Sequence, residues 1–226
     1  MVQRWRHVSF LHWRYPPEAV AALLPDGLAV DTYRGEAWVG LIPLLMDDVT
    51  TPGVPVLPWL GRFPETNLRT YVRGRDGGTG IWFFSLDAAR LPAVTAARVG
   101  FGLPYMWSRM SVTRTADRVS YRSRRRVPGP PGAVCNVDIQ VGGALPPAEP
   151  GSLDHFLTER YRLYSVWAGR LVRADARHPQ WTLHEARAAG LRQDLTGAAG
   201  LPDPDHAPLV HTSPGVLARV DRWASV

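Results

Sequence analysis

Glu65, Asn67, Arg69 and Tyr71 stand at alternate positions of one short segment, and together these side chains could hold a small carbonyl compound and move its protons. A guanidinium offers a planar fork that matches a carboxylate. A carboxyl group works as a general acid or base once its pKa is brought near neutrality, and a phenol can donate to a developing oxyanion. The alternation matters because residues i, i+2 and i+4 of a strand line one face. Downstream, Gly74-Arg75-Asp76-Gly77-Gly78 reads as the connection of a hairpin between Thr66 to Arg73 and Thr79 to Asp87. If Arg73 pairs with Thr79, then Tyr71 faces Ile81, Arg69 faces Phe83, Asn67 faces Ser85 and Glu65 faces Asp87. One face then carries Glu65, Asn67, Arg69, Tyr71, Ser85 and Asp87 with Phe83, while Leu68, Val72, Trp82, Phe84 and Leu86 make the other face apolar. The first face grades from carboxylates to aromatics, as a cavity with a polar end would. The plain alternative is the solvent side of an antiparallel sheet, against which Phe83 and Ile81 count. In the cavity reading Arg69 clamps an anion. Glu65, its proton affinity raised by the neighbouring Asp87, moves protons, and Tyr71 with Asn67 orients a carbonyl oxygen.

A second cluster follows Ser152, a good N-cap, on a helix expected from Leu153 to about Tyr164. Leu153, Phe156, Leu157 and Tyr161 would form its apolar stripe, and Arg160 and Tyr164, four apart, would share a side. That pair is either core packing with a surface arginine or a second anion-binding element over the cavity. His12, on the same alternating side as Phe10, is either a satisfied core histidine or a further contact to substrate.

Absences narrow the chemistry. All 26 basic residues are arginine, so a lysine Schiff base to a substrate or to pyridoxal phosphate cannot form, nor can a phosphate loop that needs lysine. There is no Gly-x-Ser-x-Gly elbow, His184-Glu185 lacks the second histidine of a zinc-protease helix, and Cys135 is alone. The seven histidines are scattered, so neither a metal nor a cofactor is expected. A net charge of +6 and a pI near 10.1 permit anionic partners. The run Arg122, Arg124, Arg125 and Arg126 precedes a Pro128 to Gly132 turn and is expected to be a solvated edge that discourages strand-to-strand association, with nucleic-acid binding as the weaker reading. The expected partner is an anionic small molecule; a homo-oligomer is compatible with the sequence. No stretch approaches the ~18 apolar residues of a membrane span, and Met1 to Arg6 is too basic to open a signal peptide, so a cytoplasmic protein without a membrane segment is expected.

The elements that must position these residues are mostly strands. Val8 to Tyr15 alternates; Leu28 to Tyr33 and Ala37 to Leu44 read as a hairpin across Arg34-Gly35. Asp47 to Phe63, with Val56, Leu57, Trp59 and Leu60, reads as a long loop with apolar anchors, and Leu91 to Phe101 as a helix stopped by Gly102. Tyr105 to Thr113, Val119 to Arg126, Val134 to Gly142, Arg170 to His178, Thr182 to Arg187 and Val216 to Val220 complete at least nine strand candidates. Many antiparallel strands with a few helices, and no linker within residues 1 to 226, predict one α+β domain whose sheet closes on itself to remove its edges.

Several segments carry a resemblance. Phe10-Leu11-His12-Trp13, Leu23-Leu24-Pro25-Asp26-Gly27-Leu28, Pro64-Glu65-Thr66-Asn67-Leu68-Arg69-Thr70-Tyr71-Val72, Trp82-Phe83-Phe84-Ser85-Leu86-Asp87, Leu103-Pro104-Tyr105 and His211-Thr212-Ser213-Pro214-Gly215-Val216 resemble the YqjF-like family of uncharacterised bacterial proteins. That family is similar to the acetoacetate decarboxylase-like superfamily. The resemblance implies a closed, cone-shaped, mostly antiparallel β-barrel with packed helices and an internal small-molecule cavity. The decarboxylases that name the superfamily use a lysine Schiff base, which this chain cannot make. What the resemblance leaves is an enzyme of lyase, isomerase or cyclase type acting by acid/base chemistry on a carboxylated or carbonyl-bearing metabolite, with a non-catalytic ligand carrier as the alternative.

Overall fold

A computed structural model of the chain describes residues 1–50 and 61–226. The apolar anchors Val56, Leu57, Trp59 and Leu60 lie outside the described residues. The elements run β1 (Val2–Tyr15), α1 (Pro17–Ala21), β2 (Leu28–Val30), β3 (Ala37–Thr50), β4 (Phe63–Gly74), β5 (Thr79–Ala88), α2 (Leu91–Phe101), β6 (Tyr105–Arg114), β7 (Arg118–Val127), β8 (Val134–Ala144), α3 (Leu153–Thr158), β9 (Arg162–Trp167), β10 (Arg170–Arg177), β11 (His184–Gln193), α4 (Leu195–Ala198), β12 (Leu209–Val220) and β13 (Ala224–Ser225). The class is α+β, dominated by one mostly antiparallel sheet.

The sheet closes twice. β12, β1, β3, β4 and β5 form a shared wall. The end of β5 pairs with β6, and β7, β8 and β11 lead back to the start of β12, closing a nine-strand ring. The start of β5 pairs instead with β9, and β10 returns to the end of β12, closing a seven-strand ring. Because side chains alternate across the wall, each ring receives one of its faces. Leu11, Trp13, Val39, Leu41 and Leu68 pack with Tyr121, Cys135, Val137 and Ile139 inside the nine-strand ring. Val8, Phe10, Ile42, Leu44 and Phe63 face the other way, towards Trp181 and Val216. Pro43 sits in the middle of the wall, where a proline would normally cost a ladder bond. It falls inside the stretch where the β1–β3 register breaks between Arg6 and Leu11, so the ladder is already interrupted there.

Three expectations need correction. Leu28 to Tyr33 does not form a hairpin with Ala37 to Leu44: Leu28–Val30 pairs with the end of β4, and only a Tyr33–Glu36 bridge remains. The cause is Asp31, which accepts Arg73 at 2.9 Å and Arg160 at 2.8 Å and whose backbone N–H bonds Tyr71, drawing the segment to β4. The arginine run is not an edge, since β7 lies between β6 and β8. The pleat turns Arg125 inward and leaves Arg122, Arg124 and Arg126 exposed. Finally, α3 stops at Thr158, so Arg160 and Tyr164 share no helix. Leu163 and Tyr164 pair with Ile81 and Trp82 instead, closing the seven-strand ring, and that tertiary pairing overrides local helical spacing.

Candidate functional site

The seven-strand ring encloses a cavity of about 480 Å3. β4 presents Glu65, Asn67 and Arg69 to it, the alternation expected of one strand face, and Phe83 of β5 joins them. Ser85 and Asp87 do not. The Arg73–Thr79, Tyr71–Ile81 and Arg69–Phe83 pairs hold, but the register then slips, so that Leu68 faces Ser85, Asn67 faces Leu86 and Glu65 faces Ala88. The bulge inserts Phe84 as an extra residue, and a one-residue slip moves every later side chain to the opposite face. Leu86 thereby enters the cavity wall, while Ser85 and Asp87 turn into the nine-strand ring to meet Arg125.

Glu65 is buried, with 4% of its surface exposed, and burial pushes its pKa from an ordinary 4.5 up to about 7. Desolvation is thus the cause, in place of the Asp87 charge expected from the sequence. The Tyr105 hydroxyl donates to Glu65 Oε2 at 2.8 Å and moderates the rise by favouring the carboxylate. Tyr105 was not among the residues expected at the site; its segment, Leu103-Pro104-Tyr105, stood out only through the family resemblance. It reaches Glu65 because Leu86 and Tyr105 are paired across the parallel β5–β6 ladder.

Arg69 is 8% exposed and faces the same cavity. Its Nη2 donates to the Leu157 carbonyl at 3.3 Å, while its Nε has no partner among the described residues. No carboxylate pairs with it among the described residues. The guanidinium carbon lies 5.8 Å from the ring centres of both Phe10 and Tyr71, whose π faces attract it without neutralising it. Beside it, Asn67 Oδ1 also lacks a partner among the described residues. A buried cation without a counter-charge costs several kcal/mol, and it costs less when an anion can enter and complete it.

Tyr71 and His12 support this end from behind. Neither lines the cavity. The Tyr71 hydroxyl donates to the Leu157 carbonyl at 2.6 Å, which commits its proton. His12 Nε2 lies 2.6 Å from the Tyr71 hydroxyl oxygen and must therefore donate to it, leaving Nδ1 an acceptor without a partner among the described residues. Burial and the Arg69 charge hold the His12 pKa well below its usual value, so the ring is neutral. Gly40 makes this packing possible, because a Cβ there would sit 2.9 Å from the His12 ring. Arg160 lines the cavity but is paired with Asp31, a carboxylate it shares with Arg73, and is stacked 4.2 Å from the Phe156 ring centre. Tyr164 is elsewhere, its hydroxyl donating to the Gly78 carbonyl at 3.0 Å. The remaining wall is largely apolar, aliphatic side chains such as Ile42, Leu44 and Leu86 joined by an aromatic group in which Trp5 and Trp181 stack at 6.0 Å with His178 5.1 Å from Trp181. Among the described residues no three His, Cys, Asp or Glu side chains gather as a metal site, and no helix is long and apolar enough to cross a membrane.

The family model DUF2071, an uncharacterized conserved protein, matches residues 2–217. The chain is 38% identical over 211 residues to the uncharacterized protein YqjF of Bacillus subtilis (strain 168), a match covering 93% of this chain and 86% of the relative. The enduracididine biosynthesis enzyme MppR complexed with pyruvate is similar in structure with a TM-score of 0.70 at 14% identity, covering 99% of this chain and 89% of that one. An acetoacetate decarboxylase-like enzyme from Sphingomonas wittichii RW1 is similar with a TM-score of 0.67 at 14% identity, covering 100% and 92% of the two chains. At such identities the likeness is one of fold.

Proposed function

The chain belongs to the DUF2071 family, and from that membership and the chemistry of the cavity we propose that it is an enzyme acting on a carboxylated or carbonyl-bearing small molecule by acid/base catalysis without a lysine adduct. The observation that carries the reading is the pairing, within one cavity, of an uncompensated buried guanidinium, Arg69, with a carboxyl group poised near neutrality, Glu65. Strongly perturbed titrating groups cluster at functional sites, which makes one set in a cleft a candidate for catalysis. Arg69 binds the anion, with Asn67 beside it. Glu65 as carboxylate takes a proton from a carbon next to a carbonyl, the electron pair passing to the carbonyl oxygen as an enolate; as the acid it returns the proton to the product. Tyr105 orients Glu65 and keeps its carboxylate accessible near pH 7. MppR, similar in fold, is complexed with pyruvate, which agrees with an oxo acid as the reacting unit.

The test is proton NMR in deuterium oxide with a panel of 2-oxo and 3-oxo acids. Deuterium should enter the carbon beside the carbonyl, or a new product should form. Glu65→Gln should slow this by about 100-fold or more, the usual contribution of a positioned general base, while ligand binding survives. A folded Glu65→Gln protein that exchanges as fast as the parent sinks the catalytic role of Glu65. Ligands that bind and return unchanged in every case would make the protein a carrier.

A further inference from the structure

We propose that the cavity takes a monocarboxylic acid with an extended apolar or aromatic body, on the order of 15–20 non-hydrogen atoms by the ~30 Å3 that each water occupies in the liquid, rather than a three- or four-carbon acid. The inference rests on the reading of Arg69 as the anion anchor and goes on to size and shape. Charge sets the carboxylate count. Of the two guanidiniums lining the cavity, Arg160 has Asp31 at 2.8 Å, and Arg73, which shares that carboxylate, is half exposed to solvent outside the cavity, so Arg69 is the one left without an acid partner among the described residues. One negative charge completes the site, and a second would be buried without a partner.

Distance sets the length. Glu65 and Arg69 are four residues apart on β4, which separates their backbones by roughly 13 Å at the rise of a strand. The guanidinium lies against Phe10, Tyr71 and the Leu157 carbonyl, and the Glu65 carboxyl is tied across to Tyr105. Pyruvate at Arg69 would occupy only one end of the strand face between the two groups, whereas a longer acid runs along it. A molecule touching both ends needs a spacer.

The walls set the chemistry of that spacer. Between the two polar ends the cavity is bounded by Phe10, Ile42, Leu44, Leu86, Phe83 and Trp181, and its volume is about 480 Å3. A short acid would leave most of this apolar surface facing water, whereas an alkyl or aryl body removes it from water. The exposed α2 residues Pro92 and Ala96 also line the cavity, so it reaches the surface along that helix.

Isothermal titration of the whole protein at pH 7 with pyruvate, hexanoate, 4-phenylbutyrate, 4-phenylbutanol and 4-phenylbutylamine tests each part. The expected result is that 4-phenylbutyrate binds at least tenfold more tightly than pyruvate, the alcohol or the amine. Arg69→Met should erase the preference for acid over alcohol and keep the preference for the larger body. Ala97→Phe, which narrows the cavity from α2, should weaken 4-phenylbutyrate and spare pyruvate; thermal melts establish that both variants are folded. If pyruvate binds as tightly as 4-phenylbutyrate and both are lost in Arg69→Met, the size class is wrong and the anchor stands. If acid, alcohol and amine bind alike, if Arg69→Met changes nothing, or if no compound binds, the anchor fails and the size class with it.

Discussion

Arg69 and Arg125 are both buried arginines set against the shared wall, one on each side of it, and they are treated in opposite ways. Arg125 projects into the nine-strand ring, where its Nε donates to Asp87 at 2.9 Å and its Nη2 to Ser85 at 3.0 Å, with side-chain exposures of 2% and 0% for the ion pair. Arg69 projects into the seven-strand ring, which is partly hollow, and has no acid partner among the described residues. The bulge in β5 makes the difference. By sending Ser85 and Asp87 to Arg125, it removes from the cavity the carboxylate that a straight register would have placed beside Glu65. A buried charge that the protein satisfies itself belongs to structure; one that it leaves open to a cavity is available to a ligand.

The largest expected effect breaks this comparison directly. Arg125→Met strands the Asp87 carboxylate in a filled interior and should cost about 3–5 kcal/mol. At ~2–4 °C per kcal/mol for a chain of this size, that lowers the thermal midpoint by roughly 6–20 °C. Arg69→Met removes a charge that nothing pairs with, so its midpoint should stay level or rise while the affinity for carboxylates falls. Equal losses of stability in the two variants would mean that Arg69 is a structural residue and that the rings do not differ in kind.

Glu65 gives the next largest effect. Its pKa is raised in the folded protein from 4.5 to about 7, so the folded state binds its proton more tightly than the unfolded chain does. The stabilising contribution is therefore present below pH 4.5 and is lost as pH rises to about 7. Glu65→Gln carries no such penalty. Its advantage over the parent should open between those pH values and level off at about 3 kcal/mol above them, at 1.36 kcal/mol per pKa unit. Urea unfolding at pH 5 and pH 8 reads the gap; a gap independent of pH would show that the carboxyl group is not desolvated.

The sequence carried the alternation of Glu65, Asn67 and Arg69, because strand periodicity is local, and it carried the Arg73–Thr79 start of the hairpin, because a glycine-rich connection fixes the nearest pairs. It did not carry the bulge at Phe84. Nothing in Trp82-Phe83-Phe84-Ser85 marks an extra residue, and the slip is favoured by Arg125, some forty positions away and inside a run that looked like surface charge. The same limit hid Tyr105, which meets Glu65 through a parallel pairing across α2, and stopped α3 at Thr158, where pairing of Leu163 and Tyr164 with β5 takes over. The lack of lysine, by contrast, needed no structure to exclude the Schiff base.

Tyr105→Phe sharpens the cavity side at smaller cost. The Tyr105 hydroxyl favours the ionised form of Glu65, so its removal should raise the Glu65 pKa further, by an amount equivalent to about 1 kcal/mol for one lost hydrogen bond. Where Glu65 acts as the base, the rising limb of the rate against pH should move to higher pH, with ligand affinity unchanged. A limb that stays in place while affinity drops would make Tyr105 a substrate contact instead.

The smallest effect belongs to the outer face of β7. Arg122, Arg124 and Arg126 are exposed: Arg122 meets Asp138 at 2.8 Å and Arg126 lies 4.6 Å from the Trp107 ring centre. Arg124→Gln should change stability by no more than about 0.5 kcal/mol, as surface substitutions away from special features do, which is roughly a 1–2 °C shift in a melt. Paired with Arg125→Met, one residue along the same strand, it sets the smallest effect beside the largest. The pleat accounts for that contrast, since charge and neighbouring sequence are nearly the same. An oligonucleotide whose binding weakened in Arg124→Gln and fell steeply with salt would instead give this outer face a function of its own.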